Sequence, residues 1–381
     1  MALVITGAGL VTALGYGLSG SCAGLRAGIA MPRTIDVSVD DGEGGDEPAV
    51  GYPAGDVASG FFQSGAWTQL AWWAARDLMD RAPLAGEALA ATGLQVLAPA
   101  IEPERFLWSL EAIPDALEPF VAAPVRELLG AGAPRASALG SAGGHTGLAR
   151  SLLQAQEAIE GRRLDRILHT AADTYLDGPS LAWLAAERRL KSPERATGLM
   201  PGEAGAALLV ESAQAARLRN ACVLARIEGV AVAAAPPGPA GETTANGVSR
   251  WSPPAAPALG RALAGAIRQV LPAGGAKWRG DLYLDLNGET WKANGWGNAL
   301  VHLGRVVDLD LCRTYVPAES LGETGAASAA IGVALALWNL DRDGTESAIV
   351  CSMGDYGEVA AIRVGRAAPQ AVGSSPRSAA R

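Results

Sequence analysis

The chain has 381 residues, 49% of them apolar, and a formal net charge of -8. That length and apolar content fill one large domain or two ordinary ones, and the acidic balance excludes nucleic acid and anionic membrane as principal partners. Its four cysteines, Cys22, Cys222, Cys312 and Cys351, form no CxxC pair, as expected for a reducing compartment.

Residues 2–6 predict a buried strand and residues 7–9 a glycine-rich turn. A helix follows, with Leu18, Cys22 and Leu25 on one face. This opening lacks the basic n-region of a signal peptide, and no uninterrupted apolar run is long enough for a bilayer, so a cytoplasmic protein is expected. The acidic, turn-rich segment VSVDDGEGGDEPAVGYPAG (37–55) reads as a surface loop. Next comes a tryptophan-rich helix, TQLAWWAARDLMDRA (68–82), in which Leu70, Trp73 and Ala74 have the spacing of a buried stripe. Trp72 and Trp73 have no interleaved basic residues, so they read as core or interface rather than as a base-stacking platform.

A strand around residues 94–97 precedes a less regular stretch that contains Pro114, Pro119 and Pro124. GSAGGHTGLARSLLQ (140–154) is then a glycine-rich turn feeding an amphipathic helix through Glu160, with Leu148, Leu152, Ala155 and Ile159 inward. Helix N-termini lower a thiol pKa and stabilise an oxyanion, which makes such a turn a common seat for a nucleophile. Here it holds only Gly143, Gly144, His145 and Thr146. RILHTAAD (166–173) is the next strand, and strands alternating with helices indicate an α/β fold.

Two patterns recur in the same order. PGEAGAALLV (201–210) is matched in form by MGDYGEVAAIRV (353–364), and GHTGLARSLLQ (144–154) by GETGAASAAIG (322–332). The repetition suggests two halves of one fold related by a pseudo-twofold axis.

VITGAGLVTALG, MPGEAGAALLVES, LYLDLNGET, SLGETGAASAAIG and CSMGDYGEVAAIRV stand in the order and approximate spacing of the β-ketoacyl-acyl-carrier-protein synthases, which the chain resembles to about residue 365. The resemblance implies a thiolase-like fold: two βαβαβαββ halves in a five-layered α-β-α-β-α domain, here residues 1–212 and 213–366, usually as a homodimer. Residues 367–381 are expected to be a disordered tail.

Condensation in that family needs a cysteine nucleophile and two histidines that assist decarboxylation and stabilise an enolate. Carried over residue by residue, the nucleophile falls on Gly144 by counting from the helix end, or on His145 by following the internal repeat. The first histidine falls on Asn287, and the second on Glu323, with Ser320 as the alternative register. A family lysine before the second histidine has no match, and the gating loop becomes Gly354-Asp355-Tyr356-Gly357. Every reactive position is changed while the glycine framework persists. Loss of a nucleophile that acts in concert with its partners costs on the order of 10⁶ in rate.

The expectation is therefore a degenerate, non-condensing member that acts as a pseudoenzyme: a binding protein, a partner subunit or a scaffold. Acyl carrier protein, an active synthase mate and bacterial secretion-system accessory proteins are the partners that the resemblance implies. The alternative is a divergent acyltransferase or hydrolase using His145, Asn287 and Glu323, with general base work worth roughly 10²–10⁴ in rate. No cofactor is expected. Three histidines without ligand spacing, His169 and His302 among them, imply no metal, and Cys351 reads as a buried structural thiol.

Overall fold

The computed structural model describes residues 2–40, 46–82, 84, 86–100, 105–106, 117–130, 138–238 and 251–367. Its strands are β1 (Leu3–Thr12), β2 (Gly15–Tyr16), β3 (Arg33–Asp40), β4 (Asp46–Gly51), β5 (Gly93–Ala98), β6 (Ala138–Ala142), β7 (Arg166–Thr174), β8 (Glu203–Ser212), β9 (Ala225–Ala234), β10 (Asp281–Leu284), β11 (Arg313–Tyr315), β12 (Ser347–Met353) and β13 (Glu358–Arg366). The α-helices of seven or more residues are α1 (Leu18–Arg26), α2 (Ser64–Arg81), α3 (Ala123–Leu129), α4 (Gly147–Glu160), α5 (Gly178–Ala186), α6 (Ala256–Val270), α7 (Thr290–Leu303) and α8 (Ser328–Arg342).

The main sheet runs β11-β10-β12-β13-β9-β1-β8-β7-β5-β6. Each side of the β9–β1 seam repeats one pattern. From β1 outward the pairings are antiparallel to β8, antiparallel again to β7, then parallel to β5 and β6. From β9 the same sequence leads through β13, β12, β10 and β11. At the seam, β1 pairs with β9 through Leu3, Val4 and Ile5.

Three cores separate the layers. Leu148, Leu152 and Ile159 of α4 and the apolar length of α8 pack between the two sheet halves. Helix α2 covers the outer face of the first half through Trp67, Leu70 and Ala74, and α6 and α7 cover the outer face of the second through Leu263, Ile267 and Ala299. This is an α-β-α-β-α sandwich. The inward residues predicted on α4 are all buried, as are Leu70 and Ala74 of α2, whereas Trp73 is half-buried beneath Arg76 and Tyr16.

Several sequence expectations need correction. Residues 7–9 are not a turn, because β1 continues through them to Thr12 with a register shift between Ile5 and Gly7. The glycines serve helix packing: a Cβ on Gly9 would lie 2.2 Å from the Ala74 carbonyl oxygen, so α2 sits directly on the strand. The supposed loop at 37–55 contains most of an antiparallel hairpin, β3–β4, with Thr34 opposite Val50. Alternation of Ile35, Val37 and Val39 with polar residues outweighs the turn-rich composition. Pro119 sits at the start of a helical segment, where a missing N–H costs nothing, and Pro124 follows directly on its π-turn, Glu118–Ala122; Pro114 lies outside the described residues. So does the tail beyond Ala367.

The internal repeat holds in three dimensions, with a shifted register. Short 3₁₀ turns, Gly144–Thr146 and Gly325–Ala327, lead into α4 and α8. Gly144 at φ +50° and Gly325 at φ +47° open them in the left-handed region that favours glycine. The structure thus pairs Gly144 with Gly325, whereas the sequence pattern pairs it with Gly322.

Candidate functional site

Both 3₁₀ turns open at the same place, and there the sequence-selected residues meet. His145 Nε2 lies 3.0 Å from Glu323 Oε1, and Asn287 Nδ2 donates to Glu323 Oε2 at 2.6 Å. Gly144 is on the His145 turn. Ser320 is buried in the short turn before it, and none of the cluster's hydrogen bonds involves it among the described residues.

The backbone of Glu323 is fixed by the MPGEAG segment. Its amide donates to the Met200 carbonyl at 2.8 Å, and its carbonyl accepts from the Gly202 amide at 3.0 Å. The carboxylate then bends back over the start of its own helix, where Oε1 accepts from the Gly325 amide at 2.8 Å. The next amide, Ala326, donates to Asp173 Oδ2 at 3.0 Å. These two carboxylates occupy the donors that make a helix start an anion site.

Five further charged side chains complete the cluster, of which the sequence reading singles out only Asp355, as part of the gating loop. Lys292 Nζ sits 3.3 Å from Asp285 Oδ2 and 3.5 Å from Glu323 Oε2, and it also donates to the Asp285 carbonyl at 3.0 Å. Arg189 donates to both oxygens of Glu289 at 2.8 Å and to Asp355 Oδ1 at 2.9 Å. Asn287 links the two groups by donating to Glu289 Oε2 at 2.9 Å. All of these residues are buried. Behind them Arg105 pairs with Asp173 at 2.7 Å, and both are also buried.

Four acidic side chains thus face Arg189, Lys292 and His145. Burial and Lys292 act to lower the pKa of His145, but Glu323, with Asp355 behind it, outweighs both and raises it above the ordinary histidine value. Burial likewise opposes ionisation of Glu323, yet Lys292 and His145 hold its carboxyl well below the usual range. Burial would discharge Lys292, and Asp285 and Glu323 keep it charged. The Glu323 carboxylate thus favours the protonated form of the imidazole beside it.

A raised folded-state pKa stabilises the fold below the unfolded histidine value, near 6.5, and that contribution fades as pH rises through the folded value. Unfolding free energies of the wild type and His145→Gln, measured by urea titration from pH 6 to pH 9, are expected to converge as pH rises. A constant gap would show that His145 is neutral.

The other histidines stand apart. His169 is buried in β7, where desolvation pushes its pKa down to about 3, so it is a neutral packing residue bonded to Ser151 at 2.7 Å. His302 lies near the end of α7. Cys351 is buried in β12, and desolvation raises its thiol pKa far above the reactive range. Among the described residues no group of three or more His, Cys, Asp or Glu side chains is arranged to hold a metal ion.

Beside the cluster a cavity of about 20 Å³ is lined by Asp285, Glu323, Thr324, Ser328 and Cys351. That is room for roughly one water molecule. Asp285 Oδ1 and Ser328 Oγ have no protein partner among the described residues, which makes such a water useful. No helix among the described residues is long and apolar enough to cross a membrane.

No family model matches the chain, and no curated protein matches it. Solved structures do. The chain is similar over 97% of its length to the ketosynthase from module 6 of the bacillaene synthase from Bacillus subtilis 168, covering 73% of that chain with TM-score 0.73 and 15% identity. A Streptomyces albus JA3453 oxazolomycin ketosynthase domain aligns with 97% of this chain and 74% of its own at TM-score 0.72 and 17% identity. The ishigamide ketosynthase/chain length factor aligns with 96% of this chain and 99% of its own at TM-score 0.70 and 17% identity. The chain has the thiolase-like ketosynthase fold.

Proposed function

We propose that this chain is a non-condensing protein of ketosynthase fold that works through binding, as a partner subunit or carrier-protein-binding component. One observation carries the reading: the amides of Gly325 and Ala326 are already capped by Glu323 and Asp173. An oxyanion or thioester carbonyl arriving there would have to displace two buried carboxylates, each held by a cation. Across from them stands Gly144, which we take as the vacated nucleophile position. Glu323 raises the pKa of His145 and so favours its protonated form, which counts against the alternative hydrolase or acyltransferase reading, because a general base there must be free to accept a proton.

The halves 1–212 and 213–366 would then act as one rigid body presenting an outer surface. A complex of a type II polyketide acyl-carrier protein with its ketosynthase is among the similar structures, with TM-score 0.71 and 16% identity. That likeness supports acyl carrier protein as the first partner to try, followed by an active synthase, and a second copy of this chain is proposed as its dimer mate.

Intact mass after incubation with acyl-CoA and acyl-carrier-protein thioesters is expected to show no acyl increment. A stoichiometric adduct near Gly144 or on Cys351 would overturn the reading. Sedimentation with carrier protein and with an active synthase supplies the positive arm, and a complex with neither partner removes the binding role proposed for it. A monomer at micromolar concentration removes the dimer.

A further inference from the structure

At the far end of α8 from Glu323, a helix of 15 residues and so roughly 22 Å long, lies a groove of about 820 Å³. The last turn of α8, the end of α2, the middle of β1 and residues 219–224 form its walls. Its size is that of a small-molecule site. Nothing in the His145 cluster reaches it.

The groove gathers cations. On a chain of net charge -8, its lining carries Arg81, Arg219, Arg342 and Arg366 with one acid, Asp341, and each guanidinium is paired on one side, with Asp77, Glu211, Asp341 and Glu346 respectively. These guanidinium groups are held in place. Arg342 Cζ lies over the Trp338 ring, 3.5 Å from its centroid. Arg81 is braced by Asp77 at 3.0 Å, and Arg219 by Glu211 and by Thr6 at 3.1 Å. Donors remain: among the described residues, neither Arg342 Nη2 nor Arg219 Nη1 makes a hydrogen bond. Planar, pre-oriented guanidinium forks match phosphate oxygens. Between them the wall is apolar, built by Leu18, Leu224, Leu337 and Ala82.

We infer that this groove binds an organic phosphate, its oxyanion on Arg342 and Arg219 and its apolar or aromatic body along the Leu224–Leu337 wall beside Trp338. The site is independent of the proposed loss of condensation and stands or falls separately from it. Cys222, an exposed free thiol on the same wall, reports occupancy.

The probe is 1-naphthyl phosphate, titrated into the full chain by calorimetry, with 1-naphthol and inorganic phosphate as its two halves. One equivalent is expected to bind, each half more weakly by roughly tenfold or more, as befits loss of a charge-assisted contact. Arg342→Glu and Arg366→Glu, whose side chains are 44% and 39% exposed, are each expected to weaken binding by a similar factor with unchanged thermal midpoints. Saturating probe is also expected to slow alkylation of Cys222 by N-ethylmaleimide. Absence of saturable binding at millimolar probe, equal binding of 1-naphthol, or affinity indifferent to both charge reversals would overturn the assignment.

Discussion

Glu323→Ala is expected to destabilise the protein by about 3–5 kcal/mol, the effect of removing one partner from a buried ion pair. Glu323 is 3% exposed and holds His145, Asn287, Lys292 and its own Gly325 amide through the side chain, and Met200 and Gly202 through the backbone. Alanine keeps only the two backbone contacts. Lys292, wholly buried, would retain Asp285 alone, and the imidazole would lose the group that favours its protonated form. His145 should then titrate below its ordinary value, since burial and Lys292 would act unopposed by Glu323. Urea unfolding at pH 7 gives the first quantity and imidazole proton NMR the second. A loss under about 1 kcal/mol, the scale of an exposed pair, would mean that the network is solvated.

Arg189→Met is the second large effect, also about 3–5 kcal/mol at pH 7. Among the described residues Arg189 is the one cation that touches both Glu289 and Asp355, and it lies 5.0 and 4.2 Å from the ring centroids of Trp183 and Trp251. Methionine fills much of the volume but leaves two buried carboxylates facing each other. The pH dependence separates charge from packing. Burial acts to raise the pKa of Asp355, and Arg189 more than offsets this, so its carboxyl is held below the usual range and stabilises the wild type above pH 4, with loss as pH falls through the folded value. Without Arg189 that pKa rises, so the stability gap between variant and wild type should narrow as pH is lowered below about 4. A gap constant from pH 7 to pH 3 would assign the loss to packing. Arg189→Lys is expected to recover part of it, keeping the charge without the two-oxygen geometry.

The convergence of His145, Asn287 and Glu323 was legible through the family resemblance, which carries all three onto one pocket, and the glycine-rich turns mark the helix starts beside two of them. What escaped was the charge that surrounds them. Arg189 sits in RRLK, which reads as an exposed basic run, and Lys292 follows Trp291 in a helix start with no other cation. Charged residues are taken as solvated unless their partners are known, and apart from Asp285, seven positions before Lys292, these partners are remote: Lys292 meets Glu323 across 31 positions and Arg189 meets Asp355 across 166. One signal was available, the acidic spacing of Asp285 and Glu289 around Asn287 at a strand end. The misread turn in β1 has a different cause. Local glycine content spoke for a bend, while the close seat of α2, a contact 65 residues away between Gly9 and Ala74, required glycine in an extended strand.

The seam at β1 has a consequence for the order in which the protein is made. In the order of synthesis β1 precedes its two long neighbours: Leu3 pairs with Ser212 and Ile227, so that pairing cannot form until β8 and β9 have been made. At ordinary elongation rates it waits roughly 10–40 s. Throughout that interval LVITGAGLVT is a ten-residue strand without charge or proline, destined for complete burial. Such a segment is a template for pairing with other nascent chains. The first half cannot close as a finished sheet before β8 arrives, which makes the nascent first half a natural client for chaperones and β1 the segment whose exposure sets the yield of folded protein.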